Sequence, residues 1–186
     1  MARSAKKTAK GARVRSAKPQ AAGSAKPRAA GLVNAGRKAP AFKLVNQHGV
    51  TRQLKDFAGK WLVLYFYPKD DTPGCTTESC GFRDEVKQFE KRGAVIVGIS
   101  PDNEKSHLKF ATKHNLPFEL LADAEQKMCS AYGVWQEKSM YGRTYMGVAR
   151  TTYLINAKGK VAARWDKVKP AGHEAEVLMK IDEEKG

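Results

Sequence analysis

Two continuous apolar runs, separated by a segment with helical spacing, constrain the fold of this chain most strongly. The runs cover residues 61–67 and 94–99. Apolar runs of this length are typical of strands that are buried on both faces of a sheet. Between them, Phe82 and Phe89 lie two helical turns apart and predict a helix over about 75–91. Strand, helix and strand in this order predict a βαβ unit with two parallel strands.

Shorter apolar runs and turn signals predict the other elements of the domain. Their ranges are, in chain order, strands 41–45 and 50–54, helix 103–114, strand 118–121, helix 125–132, strands 151–155 and 160–165, and helix 172–182. This order predicts an α/β fold with a central mixed sheet and helices on both of its faces.

The first 38 residues differ in composition from the rest of the chain. They contain eleven Lys and Arg side chains and no Asp or Glu, in a chain whose formal net charge is +15. Their few aliphatic side chains cannot bury enough apolar area to offset the entropy lost on ordering. We therefore expect residues 1–38 to form a disordered basic tail and residues 39–186 to form one globular domain.

The charge of this tail suggests two functions. A retained tail would bind DNA through its phosphates without reading the base sequence, and would associate the protein with a nucleoid or nucleus. A cleaved organellar transit peptide has a similar composition, but Lys18-Pro19 and Lys26-Pro27 interrupt an amphipathic helix. The start lacks the apolar segment of a secretory signal, and the chain has no run of about 18 apolar residues. These features favour a cytoplasmic protein that does not span a membrane.

The chain has three cysteines, Cys75, Cys80 and Cys129. An odd and small number of cysteines does not fit a disulfide-stapled secreted scaffold and favours a reducing compartment. In that compartment, two nearby cysteines indicate catalysis, redox activity or metal binding. A zinc site would need further ligands such as Cys129, His107 or His114, and we expect no metal because a helix points Cys75 and Cys80 apart.

Cys75 falls in the first turn of a predicted helix, directly after a buried strand and a tight turn. Unpaired N–H groups and the helix dipole favour an anion at this position, and here the anion is the Cys75 thiolate. A thiolate attacks peroxides, disulfides and electrophilic carbonyls. Thr72 lies where its hydroxyl would face the sulfur or a bound oxygen, and Pro68 and Pro73 would rigidify the pocket and shield it from water.

Cys80 follows five residues after Cys75. On an intact helix this spacing corresponds to a rise of about 7.5 Å, and a disulfide requires Cα atoms within about 7 Å of each other. A bond between the two sulfurs therefore requires the first helical turns to unwind. Ser79 and Gly81 are weak helix formers and lower the cost of that unwinding.

These residues carry a resemblance to a known family. Pro68, Thr72 and Cys75, with the spacing P-x-x-x-T-x-x-C, resemble the active-site motif of the peroxiredoxins. The Thr-Pro-Gly-Cys-Thr segment at 72–76, followed by Cys80, resembles the peroxiredoxin Q branch, also called bacterioferritin comigratory protein. Three downstream segments resemble the same branch, at 132–135, 140–147 and 150–155. The resemblance covers roughly residues 39–185 and leaves out the tail.

The resemblance implies a thioredoxin-like fold and a thiol peroxidase that reduces hydrogen peroxide or organic hydroperoxides, with no cofactor. Cys75 would be the nucleophile that becomes a sulfenic acid, and Thr72 and Arg150 would hold the peroxide oxygens. Cys80 would resolve the sulfenic acid into an intramolecular disulfide, which thioredoxin or a similar dithiol protein would reduce. The short segment after the last predicted helix favours a monomer. The alternative class is a DNA-associated protein whose basic tail is its main functional element.

The remaining candidate residues have structural interpretations. Cys129 is expected to pack in the core, and the four histidines are expected to be surface or packing residues that the reaction does not require. Glu78 would complement the dipole at the helix N-terminus, or, as the family resemblance implies, contact the site. Tyr141 and Arg143 would lie in a loop, either at the border of the peroxide pocket or facing solvent.

Overall fold

A computed structural model describes residues 31–186 of the chain. The strands are β1 (Lys43–Asn46), β2 (Thr51–Gln53), β3 (Trp61–Phe66), β4 (Ala94–Ser100), β5 (Glu119–Ala122), β6 (Trp135–Met140), β7 (Arg143–Val148), β8 (Thr151–Ile155) and β9 (Val161–Asp166). The α-helices are α1 (Pro73–Asp84), α2 (Val86–Lys91), α3 (Glu104–Lys113), α4 (Lys127–Ala131) and α5 (His173–Lys185). Within the described range, no helix is both long and apolar enough to cross a bilayer.

Seven of these strands form one mixed sheet in the order β2-β1-β5-β4-β3-β8-β9. β3, β4 and β5 are parallel, whereas β8 pairs antiparallel with β3, and β1 pairs antiparallel with β5. The helices between the parallel strands make two βαβ units, as the sequence predicts. Because the strands run in parallel, the carboxyl end of β3 and the start of α1 meet at one edge of the sheet.

β3 is buried on both faces and divides the core in two. Leu62, Leu64 and Phe66 belong to one apolar cluster, and Val63 and Tyr65 belong to the cluster on the opposite face. Alternate side chains of a strand point to opposite faces, so a strand covered on both sides needs an unbroken apolar run. β3 is therefore fixed rigidly just before the segment that carries Cys75.

A glycine in β4 makes room for an aromatic ring of β3. A Cβ atom on Gly98 would lie 2.7 Å from the Tyr65 ring and 2.7 Å from Leu120 Cδ2. The space left by the missing side chain lets the Tyr65 hydroxyl lie 3.0 Å from Ser79 Oγ. This contact joins the sheet to α1 next to the cysteine segment.

The predicted single helix over 75–91 is two helices in the structure. The backbone leaves helical geometry at Glu85, with φ −99° and ψ 6°, and this residue separates α1 from α2. The break brings the ring centroid of Phe89 to 5.7 Å from that of Phe82, whereas a continuous helix rises about 10.5 Å over the same seven residues. α1, which contains both Cys75 and Cys80, is thus a short helix of its own.

Residues 135–148 form a hairpin that the sequence analysis did not predict. β6 and β7 pair in an antiparallel register from Trp135↔Val148 to Met140↔Arg143. The turn consists of Tyr141 at φ 51° and Gly142 at φ 75°, and two central residues with positive φ are what a two-residue hairpin of this kind requires. Tyr141, expected in a loop, lies in this turn, and Arg143 is the first residue of β7; the two strands carry no clear sequence signal because they are largely exposed and lack a regular apolar alternation.

The domain begins before Ala39, the boundary that the composition predicts. Leu32 and Val33 pack against one of the apolar clusters. The Gly36 N–H donates to the Val161 carbonyl at 2.8 Å, and the Val161 N–H donates to the Arg37 carbonyl at 2.9 Å. The boundary at 38/39 is therefore placed too late, because two aliphatic side chains and a short stretch of backbone pairing are enough to attach this segment. The predicted disorder of residues 1–30 lies outside the described residues.

Candidate active site

Cys75 is the third residue of α1, in the first turn at the N-terminal end of that helix. Thr72 precedes the helix with an extended backbone, and Pro73 occupies its first position. The first backbone hydrogen bond of the helix runs from the Thr76 N–H to the Thr72 carbonyl, at 2.8 Å. The amides of Gly74 and Cys75 precede that bond and have no acceptor within the helix, which favours negative charge here.

Arg150, the residue before β8, links two side chains of α1. Its Nη2 donates to Cys75 Sγ at 3.2 Å, and its Nη1 donates to Glu78 Oε2. Gly74 permits this approach, because a Cβ atom there would lie 3.3 Å from Arg150 Nη2. A guanidinium with donors in a fixed fork can hold a thiolate and a carboxylate at the same time.

Glu78 is buried and has only one of its two oxygens paired. Its side chain has no exposed surface, and among residues 31–186 no group donates to Oε1. Burial raises the pKa of Glu78 to about 7, although the ion pair with Arg150 acts in the opposite direction. Of the two roles expected for Glu78, the contact with the site is present in the structure as the bond from Arg150. The position three residues after Cys75 does indicate the same helix face, but burial depends on how α1 packs on the sheet.

The charge of Arg150 is maintained in spite of its partial burial. Burial alone lowers the pKa of this guanidinium, but the nearby Glu78 and Cys75 together raise it above its usual value. The site therefore combines one permanent cation with a thiol and with a carboxyl group that titrates near neutrality. Such an arrangement stabilises negative charge that develops on sulfur or on an oxygen bound next to it.

The two cysteines of α1 are both free thiols, and they differ in exposure. Cys75 is 1% exposed, whereas Cys80 is half-buried. Both lie within the continuous helix Pro73–Asp84, so this form of the protein keeps them apart as the helical geometry predicts. The face of α1 that carries Cys75 also carries Phe82, which packs on the sheet with its ring centroid 5.0 Å from that of Tyr65.

Thr72 and Pro68 adopt positions that differ from those expected. The Thr72 hydroxyl donates to the Lys69 carbonyl at 3.1 Å and does not point at the Cys75 sulfur, because the turn before α1 offers it a nearer acceptor. Pro68 and Pro73 are both exposed. Pro68 therefore contributes to the site through the restricted backbone of this turn, and the burial of Cys75 comes from other groups.

Lys138, on β6, is a charged residue near the site that the sequence analysis missed. Its Nζ donates to the Val148 carbonyl, and its aliphatic part passes 3.4 Å from the position that a Cβ atom on Gly147 would take. Burial lowers the pKa of Lys138, and the positive charge of Arg150 lowers it further, while Cys75 acts in the opposite sense. No local sequence signal identifies this residue, since its placement depends on the β6–β7 hairpin.

The other candidates take structural positions. Cys129 is fully buried, and burial raises the pKa of its thiol. Tyr141 and Arg143 are exposed at the turn of the β6–β7 hairpin and face solvent. In the part of the chain that the structure describes, no three His, Cys, Asp or Glu side chains are grouped so that they could hold a metal ion.

Comparison with known proteins agrees with this geometry. Residues 35–164 match the model of the AhpC/TSA family. Peroxiredoxin Bcp from Bacillus subtilis is 50% identical over 149 residues, which cover 80% of this chain and 95% of that protein. A putative peroxiredoxin bcp from Coxiella burnetii is 49% identical over 149 residues, covering 80% of this chain and 99% of that protein.

Solved structures of similar proteins superimpose on the described domain. Peroxiredoxin Q from Xanthomonas campestris has a TM-score of 0.77 at 41% identity and covers 82% of this chain and 99% of its own. A structure of the bacterioferritin comigratory protein from Xanthomonas campestris, described in terms of its alkyl peroxide reduction activity, has a TM-score of 0.78 at 40% identity, with coverages of 82% and 100%.

The chain belongs to the AhpC/TSA family and is an enzyme of the peroxiredoxin class. Within that class, its relatives are the proteins named peroxiredoxin Bcp and peroxiredoxin Q. The family and the thioredoxin-like α/β fold that the sequence motifs predict are therefore confirmed.

Proposed function

We propose that this protein reduces hydrogen peroxide and organic hydroperoxides through Cys75. The Cys75 thiolate attacks the terminal oxygen of the peroxide, and the O–O bond breaks as the S–O bond forms. The departing hydroxide or alkoxide takes a proton from water, and Cys75 is left as a sulfenic acid. The observation that carries this proposal is the contact of Arg150 with both Cys75 Sγ and Glu78, because it holds a cation where negative charge develops.

Thr72 has a part in this step that requires a change in its hydrogen bond. Thr72 is the residue directly before α1. In the reduced form its hydroxyl donates to the Lys69 carbonyl, and rotation of the side chain would turn it toward the start of the helix. The peroxide oxygen that gains negative charge during the attack would be a stronger acceptor than this carbonyl, next to the unpaired amides of Gly74 and Cys75. Thr72 then helps Arg150 to orient the peroxide for attack, and Pro68 restricts the backbone of the same turn.

In the second step, Cys80 resolves the sulfenic acid. The Cys80 thiolate attacks the Cys75 sulfur, the S–O bond breaks, and the hydroxide leaves as water after taking up a proton. The disulfide requires the first turns of α1 to unwind, since both cysteines lie in one helix. Thioredoxin or a similar dithiol protein then restores both thiols and supplies two electrons and two protons by exchange.

Three variants, each with one cysteine replaced by serine, test the proposal in an assay that couples peroxide consumption to thioredoxin and its reductase. Cys75→Ser abolishes activity. Cys80→Ser allows one sulfenic acid per chain but stops thioredoxin-coupled turnover. Cys129→Ser is the matched control and keeps wild-type turnover, because this thiol is buried away from the site. A Cys75→Ser protein with wild-type activity would overturn the assignment.

We infer further that the enzyme is a monomer, because an intramolecular disulfide would complete its cycle within one chain. Analytical ultracentrifugation of the reduced and the oxidised protein tests this inference. A single species of monomer mass in both redox states supports it, and a dimer in either state contradicts it.

The basic N-terminus supports a second proposal, that the protein binds DNA without sequence specificity. Residues 1–30 carry nine of the eleven basic side chains of the first 38 residues and no acidic one. If 6–10 charges contact phosphates, the affinity falls roughly 10³–10⁵-fold between 50 and 200 mM salt. A gel-shift comparison with a chain that begins at Gly31 tests this, and equal affinity of the two proteins would contradict it. Mass spectrometry of the natural N-terminus separates a retained tail from a cleaved transit peptide.

A further inference from the structure

A buried carboxylate lies in the turn between β3 and α1, five residues before Cys75. Asp70 Oδ1 accepts a hydrogen bond from the Tyr67 hydroxyl at 2.7 Å, and Oδ2 accepts one from the Ser106 hydroxyl at 2.7 Å. His107 Nδ1 lies 2.9 Å from Oδ2. The side chains of Asp70 and His107 are only 4% and 0% exposed. Peroxide chemistry at Cys75 does not use any of these groups directly.

The hydrogen bonds of His107 fix a hydrogen on one of its ring nitrogens. Its Nε2 lies 3.2 Å from the Leu121 carbonyl oxygen, which only accepts, so Nε2 carries a hydrogen. Nδ1 faces the Asp70 carboxyl group, which also accepts from two hydroxyl groups. Burial raises the pKa of Tyr67 and keeps its hydroxyl a donor. Asp70 and His107 thus form a buried hydrogen-bonded pair, with both ring nitrogens of His107 facing oxygen atoms.

The groups around this pair come from every element packed against it. Tyr67 follows directly after β3, α3 contributes Ser106, and β5 contributes the Leu121 carbonyl. The loop after β4 contributes Asp102, the other charged group, whose Oδ2 accepts from the Asp70 N–H at 2.8 Å. Asp102 also accepts from the Ser100 hydroxyl at 2.7 Å. The turn is consequently held through its backbone as well as through its side chain.

We propose that Asp70 and His107 are positioning residues for the peroxidase reaction, because their ion pair fixes the turn that sets the start of α1. Thr72 lies two residues after Asp70 and begins the helix, and Cys75 follows in its first turn. A shift of this turn moves the Cys75 sulfur relative to Arg150, which is anchored on the other side by β8. The pair therefore acts on the reaction through geometry and touches neither peroxide nor sulfur.

The neighbouring residue Asp71 provides a matched comparison within the same turn. It has a left-handed backbone with φ 55°. Its exposed carboxylate accepts from Lys113 Nζ at 2.6 Å and lies 2.9 Å from His114 Nε2. Asp71 is thus also attached to the end of α3, but in solvent, where an ion pair contributes little. Burial is the property that separates the two aspartates.

The first test measures the protonation of His107 in the wild-type protein and needs no variant. Nitrogen-15 NMR of the reduced full chain at pH 7 reports whether each ring nitrogen carries a hydrogen. We expect both nitrogens of His107 to show imidazolium shifts. A neutral His107 ring would overturn the proposal.

The second test compares Asp70→Asn with Asp71→Asn. The rate constant for Cys75 oxidation by one equivalent of hydrogen peroxide is followed by quenched flow and mass spectrometry, below the melting temperature of each variant. Asp70→Asn lowers the rate constant about tenfold to hundredfold, as small misplacements of reacting groups do. Asp71→Asn changes it by less than about twofold. Equal rate constants for the two variants would contradict the proposal, and Ser106→Ala, which removes one donor to Asp70, replaces Asp70→Asn if that variant does not fold.

Amide hydrogen exchange separates a positioning role from a purely structural one. The Thr76 amide, which donates to the Thr72 carbonyl, reports on the start of α1. Asp70→Asn speeds exchange at Thr76 and leaves the Val97 amide in β4 at its wild-type rate. Equal acceleration at Thr76 and Val97 would show that the ion pair only stabilises the whole fold.

Discussion

In the candidate site, the guanidinium of Arg150 contacts two partners at the same time. Nη2 contacts the Cys75 sulfur at 3.2 Å while Nη1 pairs with Glu78. The carboxylate fixes the plane of the guanidinium, and the fixed plane keeps a donor directed at the sulfur. Lysine, whose charge lies on one nitrogen atom, has no second donor in a fixed direction.

Replacement of Arg150 by lysine tests this use of the fork. We expect Arg150→Lys to lower the rate constant for Cys75 oxidation roughly 10²–10³-fold, because one oriented donor is lost at the developing charge. The rate constant is measured by stopped-flow fluorescence under single-turnover conditions. Arg143→Lys, on the exposed hairpin turn, is the control and reacts at the wild-type rate. An Arg150→Lys enzyme with wild-type kinetics would show that net charge alone is sufficient.

Glu78 makes the stability of the reduced protein depend on pH. Its pKa is raised from about 4.5 to about 7, so between these values the folded state binds more protons than the unfolded state. The free energy of unfolding therefore falls as the pH rises, by up to about 3 kcal/mol from this group. Urea unfolding of the wild type and of Glu78→Gln from pH 4.5 to 7.5 measures the effect. The unfolding free energy of the wild type minus that of Glu78→Gln should fall as the pH rises. A difference that does not change with pH would show that Glu78 is not the titrating group.

The sequence predicts the reacting residue better than its partners. Cys75 is recognisable because a strand, a turn and a helix start follow each other within a few residues. The buried state of Glu78 and the position of Lys138 depend on contacts between distant segments, through β8 and through the β6–β7 hairpin. Local spacing carries no information on such contacts.

At the level of secondary structure, the proposed cycle requires α1 both to hold Cys75 near its N-terminus and to unwind. The break at Glu85 separates it from α2, so its first turns can open without disturbing the helix that follows. The sequence shows that Ser79 and Gly81 are weak helix formers. Its apolar spacing, however, predicts one continuous helix where the structure has α1 and α2. A change of backbone direction at one polar residue leaves the apolar spacing intact, so the periodicity does not reveal the break.

A substitution at Gly81 tests the unwinding step. Alanine stabilises a helix by about 1 kcal/mol over glycine, and the Glu174 carboxylate, whose Oε2 lies 2.6 Å from the added Cβ position, can rotate away. We expect Gly81→Ala to slow formation of the Cys75–Cys80 disulfide about fivefold and to leave oxidation of Cys75 unchanged. Rapid quenching followed by alkylation and mass spectrometry measures both steps. Thr112→Ala in α3 is the control and forms the disulfide at the wild-type rate; equal slowing by both substitutions would contradict local unwinding of α1.

At the scale of the whole molecule, the end of the basic segment does not coincide with the start of the folded domain. Composition predicts a boundary at residue 38/39 because basic residues continue to Lys38. The structure attaches residues 32–38 to the domain through Leu32, Val33 and backbone bonds to Val161. Composition averages over a window and cannot detect two apolar residues that pack against the core.

Two truncated chains test the position of this boundary. A chain that begins at Gly31 keeps the wild-type free energy of unfolding. A chain that begins at Ala39 loses about 2 kcal/mol, because two half-buried aliphatic side chains and several hydrogen bonds are removed. Urea unfolding of both proteins measures the difference, and equal stability would show that residues 32–38 contribute nothing to the domain.

Oxidation under single-turnover conditions tests the central claim most directly. Reduced protein is mixed with one equivalent of hydrogen peroxide, quenched at successive times with a sulfenic-acid reagent and a thiol alkylator, and analysed by peptide mass spectrometry. We predict a sulfenic acid on Cys75 first, followed by a disulfide between Cys75 and Cys80, with Cys129 remaining a thiol throughout. Initial oxidation at Cys80 or Cys129, or a Cys75→Ser protein that consumes peroxide at the wild-type rate, would contradict the account.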